Sequence, residues 1–217
     1  MTEAKQVVLI AVNTMRARLT VVGFNLAIIT FQLSIMPRIP GAAQLPNVAI
    51  PLHIASGITL LIGLALSVTA MVCFIISSQF DRDGTCDHWS LLAGDLFMYL
   101  ALAHSVAGFF GPVLHLIGQA TLQVPPEAVE LATVRMAAVV IGGFAWFVAT
   151  YVGPIVSLLR SPFGRRVTIA LGILYIVLLL LSTHVSAMGA RLEAGLDNIA
   201  LDPVPTLFNE LVQPLRW

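Results

Sequence analysis

The chain has 217 residues, of which 58% are hydrophobic and only 10% charged, and its acids and bases balance to a formal net charge of zero. Soluble domains carry about a quarter of their residues as charges, so this composition, with a mean hydropathy of +0.94, excludes a water-facing surface. It specifies an all-α integral membrane protein with the lipid bilayer as its first partner, and it carries no basic footprint for nucleic acid. Cys73 and Cys86 make neither a disulfide framework nor a CxxC pair.

The N-terminal MTEAKQVVLIAVNTMRARL starts polar and lacks a small-residue cleavage site, so it is read as mature chain rather than a signal peptide. About 20 apolar residues are needed to cross the hydrocarbon core, and five stretches meet or approach that length: Leu19–Met36, Val48–Phe80, Leu91–Thr121, Met136–Leu159 and Val167–Gly189. Val7–Val12 is too short to span and reads as an interfacial helix or an extension of the first span. The expected fold is a bundle of five transmembrane helices with short loops. Four spans plus an interfacial helix is the alternative.

Positive charge orients such a bundle. Lys5, Arg16, Arg18, Arg82, Arg160, Arg165 and Arg166 fall on one side, and Arg38, Arg135, Arg191 and Arg216 on the other, seven against four. The N-terminus is therefore expected inside and the C-terminal tail outside, in a bacterial inner membrane.

Between the spans, PRIPGAAQLPN (Pro37–Asn47) reads as an ordered turn. Pro125-Pro126 suits the first turn of a short surface helix through Ala132. The short connections DRDGTCDHWS and RSPFGRR predict antiparallel hairpins. Residues 1–190 form the helical domain, and 191–217, with Leu, Ile, Phe and Trp scattered among prolines, reads as a tail packed along the outer face. GFFGPVLHL (Gly108–Leu116) and TYVGPIVSL (Thr150–Leu158) each carry Gly-Pro inside a span. An inverted repeat would look like this, but two shared residues are better explained by chance.

The polar residues inside the spans are costly and ask for a reason. The third span holds His104 and His115, eleven positions apart, which is about 20° of rotation and about 16 Å of axis. Gly108, Gly111 and Gly118 share that face, and Asp95 points the opposite way. By their distance from the outer ends of their helices, His53, His115 and His184 reach one depth, about 8–9 Å below the surface, with His104 deeper. Neutral imidazole ligates haem iron or a divalent metal, and a glycine face admits a flat macrocycle. His53, His104, His115 and His184 are thus candidate haem b ligands, and His53, His115 and His184 candidate metal ligands. Against this, a glycine face equally serves close helix packing in lipid.

Asp95 reads as a proton- or ion-path residue, or as the structural partner of Arg16, Arg18 or Arg165. Asn25 and Gln32, seven apart on one face, read as bonded to a neighbouring helix or as a sparse path lining. Pro112 and Pro154 should kink their spans and free carbonyls. His88, beside Trp89, reads as ordinary interface.

No HExxH, GxSxG, P-loop or GxGxxG is present, and no span holds a lysine or an arginine ladder. Five spans with histidines on several of them resemble, in architecture alone, the five-helix cytochrome b anchors of respiratory dehydrogenases. The resemblance implies a haem b- or metal-binding subunit of an electron-transfer complex, although paired histidines eleven apart stand closer than the two-haem members place them. The alternatives are an oligomeric channel or small transporter, and a non-catalytic accessory subunit. Other membrane subunits or further copies of the chain are the expected protein partners.

Overall fold

The computed structural model of the chain describes residues 2–38, 53–82, 85–86, 88–123, 129–196 and 202–212. Its elements are α1 (Thr2–Ile35), a 3₁₀ turn at Met36–Arg38, α2 (Ile54–Gln79), the two-residue strands β1 (Asp81–Arg82) and β2 (Thr85–Cys86), and α3 (Ser90–Gln123). Then follow α4 (Val129–Phe147), a π-helical turn at Val148–Val152, α5 (Gly153–Leu159), α6 (Arg165–Leu196) and α7 (Pro203–Leu211). Five helical stretches are long and apolar enough to cross a membrane: Thr14–Arg38, Ile54–Gln79, Ser90–Gly118, Glu130–Leu159 and Arg165–Gly195.

The five helices expected from the apolar runs are therefore present. Val7–Val12 lie inside α1, so that segment extends the first helix rather than forming a separate one. The helix expected after Pro125-Pro126 does not stop at Ala132; α4 runs from Val129 straight into the fourth span. The second span begins at Ile54, while most of the turn at Pro37–Asn47 and the Pro125-Pro126 pair itself lie outside the described residues.

Side-chain contacts fix how neighbouring helices run. In α1 and α2, Arg18 lies over Phe74, Asn25 bonds Ser67 and Ile29 packs at Gly63, an antiparallel register. The α2–α3 pair closes through the Asp81↔Cys86 and Arg82↔Thr85 ladder. Its helices then meet at Phe74 with Gly94 and at Leu60 with Gly108. Antiparallel contacts continue from α3 to the fourth span, at Phe110 with Gly142 and Tyr99 with Gly153, and from α2 to α6, at Ile58 with Gly189. Glu193 of α6 accepts the Ala55 N–H at 2.8 Å, placing a carboxylate on the first turn of α2 where the helix dipole favours it.

The glycines are the notches that let these helices close. A Cβ on Gly94 would stand 2.6 Å from the Phe74 ring, one on Gly108 2.6 Å from Leu60 Cγ, and one on Gly153 2.5 Å from Tyr99. Each place is filled by the neighbour's large side chain, the small-residue device of membrane helix packing.

α3 is the central helix, packed against α1, α2, the fourth span and α6. The bundle as a whole is inside out. Phe24, Phe31, Val140, Phe144, Ile173 and Val177 face outward, while Asn25, Ser67, Asp95, His104, Thr150 and Ser186 are buried. Hydrocarbon outside and hydrogen-bonding groups inside is the distribution that lipid selects.

Candidate functional site

Among the described residues, two polar places lie within the bundle, both on α3. The first is near its start. Arg18 of α1 grips Asp95 with two parallel bonds, Nε to Oδ1 at 2.6 Å and Nη2 to Oδ2 at 2.8 Å. Such a fork binds more strongly than a single contact. Of the three arginines available to Asp95, Arg18 is the partner, because α1 and α3 pack side by side at this level. Asn25, two turns along α1, donates to Ser67 Oγ at 2.8 Å. Gln32, two turns further, is buried with its Oε1 unpartnered.

The second place is the middle of α3. His104 is 9% exposed, and its Nε2 reaches no hydrogen-bond partner. Its ring borders a cavity of about 20 Å³ shared with Thr150, Thr183, Ser186 and Glu210, and walled by Leu100, Ala103, Ala107, Trp146 and Leu179. That volume holds about one water. Polar groups converge on it from four elements. Ser186 Oγ lies 3.4 Å from Thr59 Oγ1, continuing the polar contact into α2. Thr183 donates instead to its own helix, at Leu179 O.

Thr150 stands in the π turn, and the sequence explains why the turn is there. Pro154 has no N–H, so it cannot donate to the carbonyl four residues back, that of Thr150. The backbone widens, with the Gly153 N–H bonding Val148 O, five residues back. The Tyr175 hydroxyl then occupies the Thr150 carbonyl at 2.5 Å. With its backbone so placed, Thr150 is 1% exposed and its Oγ1 is without a partner beside the cavity. π turns of this kind concentrate at functional sites. Pro112, by contrast, sits inside an uninterrupted α-helix, so the two Gly-Pro dipeptides end in different local structures.

Glu210 arrives by a route the sequence did not disclose. α7 packs on α6, and Tyr151 donates its hydroxyl to Leu211 O at 3.1 Å. Glu210 lines the cavity beside Thr183, which lies thirteen positions before α6 ends at Leu196, about 20 Å along the axis. The tail therefore does not merely cover the end of the bundle; α7 folds back along it. One signal was available: in an apolar segment, Thr206 and Glu210 are four apart and mark one helix face, opposite Val204 and Phe208.

The remaining sequence candidates sit as follows. His53 precedes the first turn of α2, its carbonyl accepting the Gly57 N–H at 2.8 Å. His184 points out of the bundle, between buried Thr183 and exposed Val185. His115 is within α3, and its side chain lies outside the described residues. Among the described residues no three histidines, cysteines or acids group as a metal site. Of the glycine strip, Gly108 is filled by Leu60, Gly111 has Ser56 Oγ 3.8 Å from where its Cβ would be, and Gly118 has the Arg135 guanidinium at 3.9 Å. His88 serves the start of α3: the Ser90 N–H donates to its Nδ1 at 3.3 Å, and its ring stacks on Phe80.

Compared with models of known protein families, with curated proteins and with solved structures, the chain matches none.

Proposed function

We propose that this chain is a multi-pass membrane transport protein that passes protons, alone or coupled to a solute, through the interior of the bundle, with His104 as the exchanging group. The observation that carries the reading is the unpartnered Nε2 of His104, buried beside a water-sized cavity bordered by three hydroxyls and a carboxylate. Buried polar atoms in membrane proteins are nearly always satisfied, and ionisable groups kept there mark proton relays and ion paths.

Imidazole suits the task because one ring nitrogen can take a proton while the other releases one. Thr150, Thr183 and Ser186 have hydroxyls that both donate and accept, so they can hold a water in either orientation as the proton passes. The cavity accommodates about one water, which suits the passage of a proton. Gly108, the notch nearest to His104 along its face, is taken up by Leu60.

The fork of Arg18 and Asp95 serves in this reading as the anchor of α3 at the arginine-rich end, taken as the inner end from the seven-to-four bias. Proton flux into liposomes carrying the purified protein tests the proposal, with His104→Ala as the comparison.

A further inference from the structure

We propose that Glu210 is the second proton-carrying group of the cavity, and that the re-entrant helix α7 is the element linking the His104 site to the medium at the end of the bundle where α6 finishes. The proposal rests on the proton-exchange reading of His104.

Two observations support it. Glu210 is 4% exposed, while its neighbour Asn209 is exposed. A carboxylate is held in such a place only with polar company, and here it borders the same cavity as His104, Thr150, Thr183 and Ser186. Second, α7 is amphipathic in the membrane sense. Thr206 and Glu210 face inward, while Val204 at 76% and Phe208 at 59% exposure face out. A surface helix at a water boundary would turn the other way, so α7 is built to present its acid to the bundle.

The transfer is simple to balance. A protonated His104 gives the Nε2 proton to the water in the cavity, which gives one to the Glu210 carboxylate. Neutral imidazole and a neutral carboxylic acid result. Glu210 then releases the proton to bulk water as hydronium and returns as the carboxylate.

The experiment uses the full chain in liposomes, with proton flux read by an entrapped pH dye, and wild type compared with Glu210→Gln, Glu210→Asp and His104→Ala. Glu130→Gln, on the exposed first turn of α4, is the control. Flux is expected to fall by about 100-fold in Glu210→Gln, the lower end of what one positioned proton carrier contributes. It should recover in part in Glu210→Asp and be unchanged in Glu130→Gln. A second measurement needs no variant: a hydrophobic carbodiimide, which attacks protonated carboxyls in lipid, should label wild-type Glu210, located by mass spectrometry, and stop flux. If His104→Ala loses flux while Glu210→Gln keeps it, or if carbodiimide leaves Glu210 unlabelled or leaves flux intact, the role of Glu210 is overturned and that of His104 stands. If folded wild type passes no protons, both fall.

Discussion

The hydroxyl of Tyr175 occupies the carbonyl of Thr150, the acceptor that Pro154 cannot serve. One bond thus ties α6 to the π turn and fixes the wall of the His104 cavity. Tyr175→Phe leaves that carbonyl buried without a donor and is expected to cost about 1–2 kcal/mol, measured by thermal unfolding in detergent. Pro154→Ala restores the missing N–H. Combined with Tyr175→Phe, it should destabilise less than the sum of the two single changes. Additive losses would mean that the hydroxyl and the proline act independently.

Asp95 and Arg18 form a two-bond pair whose side chains are only 11% and 23% exposed. Removing one partner leaves the other charge stranded, a loss of about 3 kcal/mol or more for a buried pair, reduced here on the Arg18 side because it reaches the edge of the bundle. Asp95→Asn and Arg18→Met should each lower thermal stability. Asp95→Leu with Arg18→Met should lower it less than either single change, since no charge is stranded. A double variant worse than both singles would show that the pair stabilises the bundle by its attraction.

Gly108 and Gly111 share a face of α3 but not a fate. A Cβ on Gly108 meets Leu60 Cγ at 2.6 Å, whereas at Gly111 the nearest atom is 3.8 Å away. Gly108→Ala should cost about 1–3 kcal/mol by overpacking. Gly111→Ala should be tolerated. Matched unfolding curves of the two variants check this, and equal losses would contradict the packing at Leu60.

His184 and His104 should separate in the same way. His184 faces out of the bundle, so His184→Ala is expected to leave proton flux unchanged, measured beside His104→Ala in one liposome preparation. Loss of flux in both would return His184 to the site.

Much of this was legible in the chain. Five apolar runs give five helices long and apolar enough to span, and the third span, whose polar residues asked for a reason, packs against α1, α2, the fourth span and α6. Arg18 was among three arginines available to Asp95, and Asn25 does bond a neighbouring helix. What stayed hidden is azimuth. Depth by counting residues also failed for His53, since its neighbour Ala55 meets Glu193, nine positions beyond His184 on α6, and which way a side chain points is decided by the partner helices. On α6 the buried small residues Thr183, Ser186, Ala187 and Ala190 mark the packed face, and His184 lies 100° away from Thr183. The tail was hidden for a different reason. Its prolines and scattered apolar residues suit a surface cover as well as a re-entrant helix, and only the inner bundle, by offering hydroxyls and His104, selects the second. Pro154 announced a kink; that it yields a π turn depends on Tyr175, twenty-one residues on.

Proton flux driven by a potassium diffusion potential, in liposomes of wild type and of His104→Ala, decides whether the interior of this bundle handles protons. The expected result is uptake by wild type that falls by about 100-fold in His104→Ala, with both proteins eluting as the same folded species. Equal flux in the two, or none from folded wild type, would contradict a proton-exchanging role for His104.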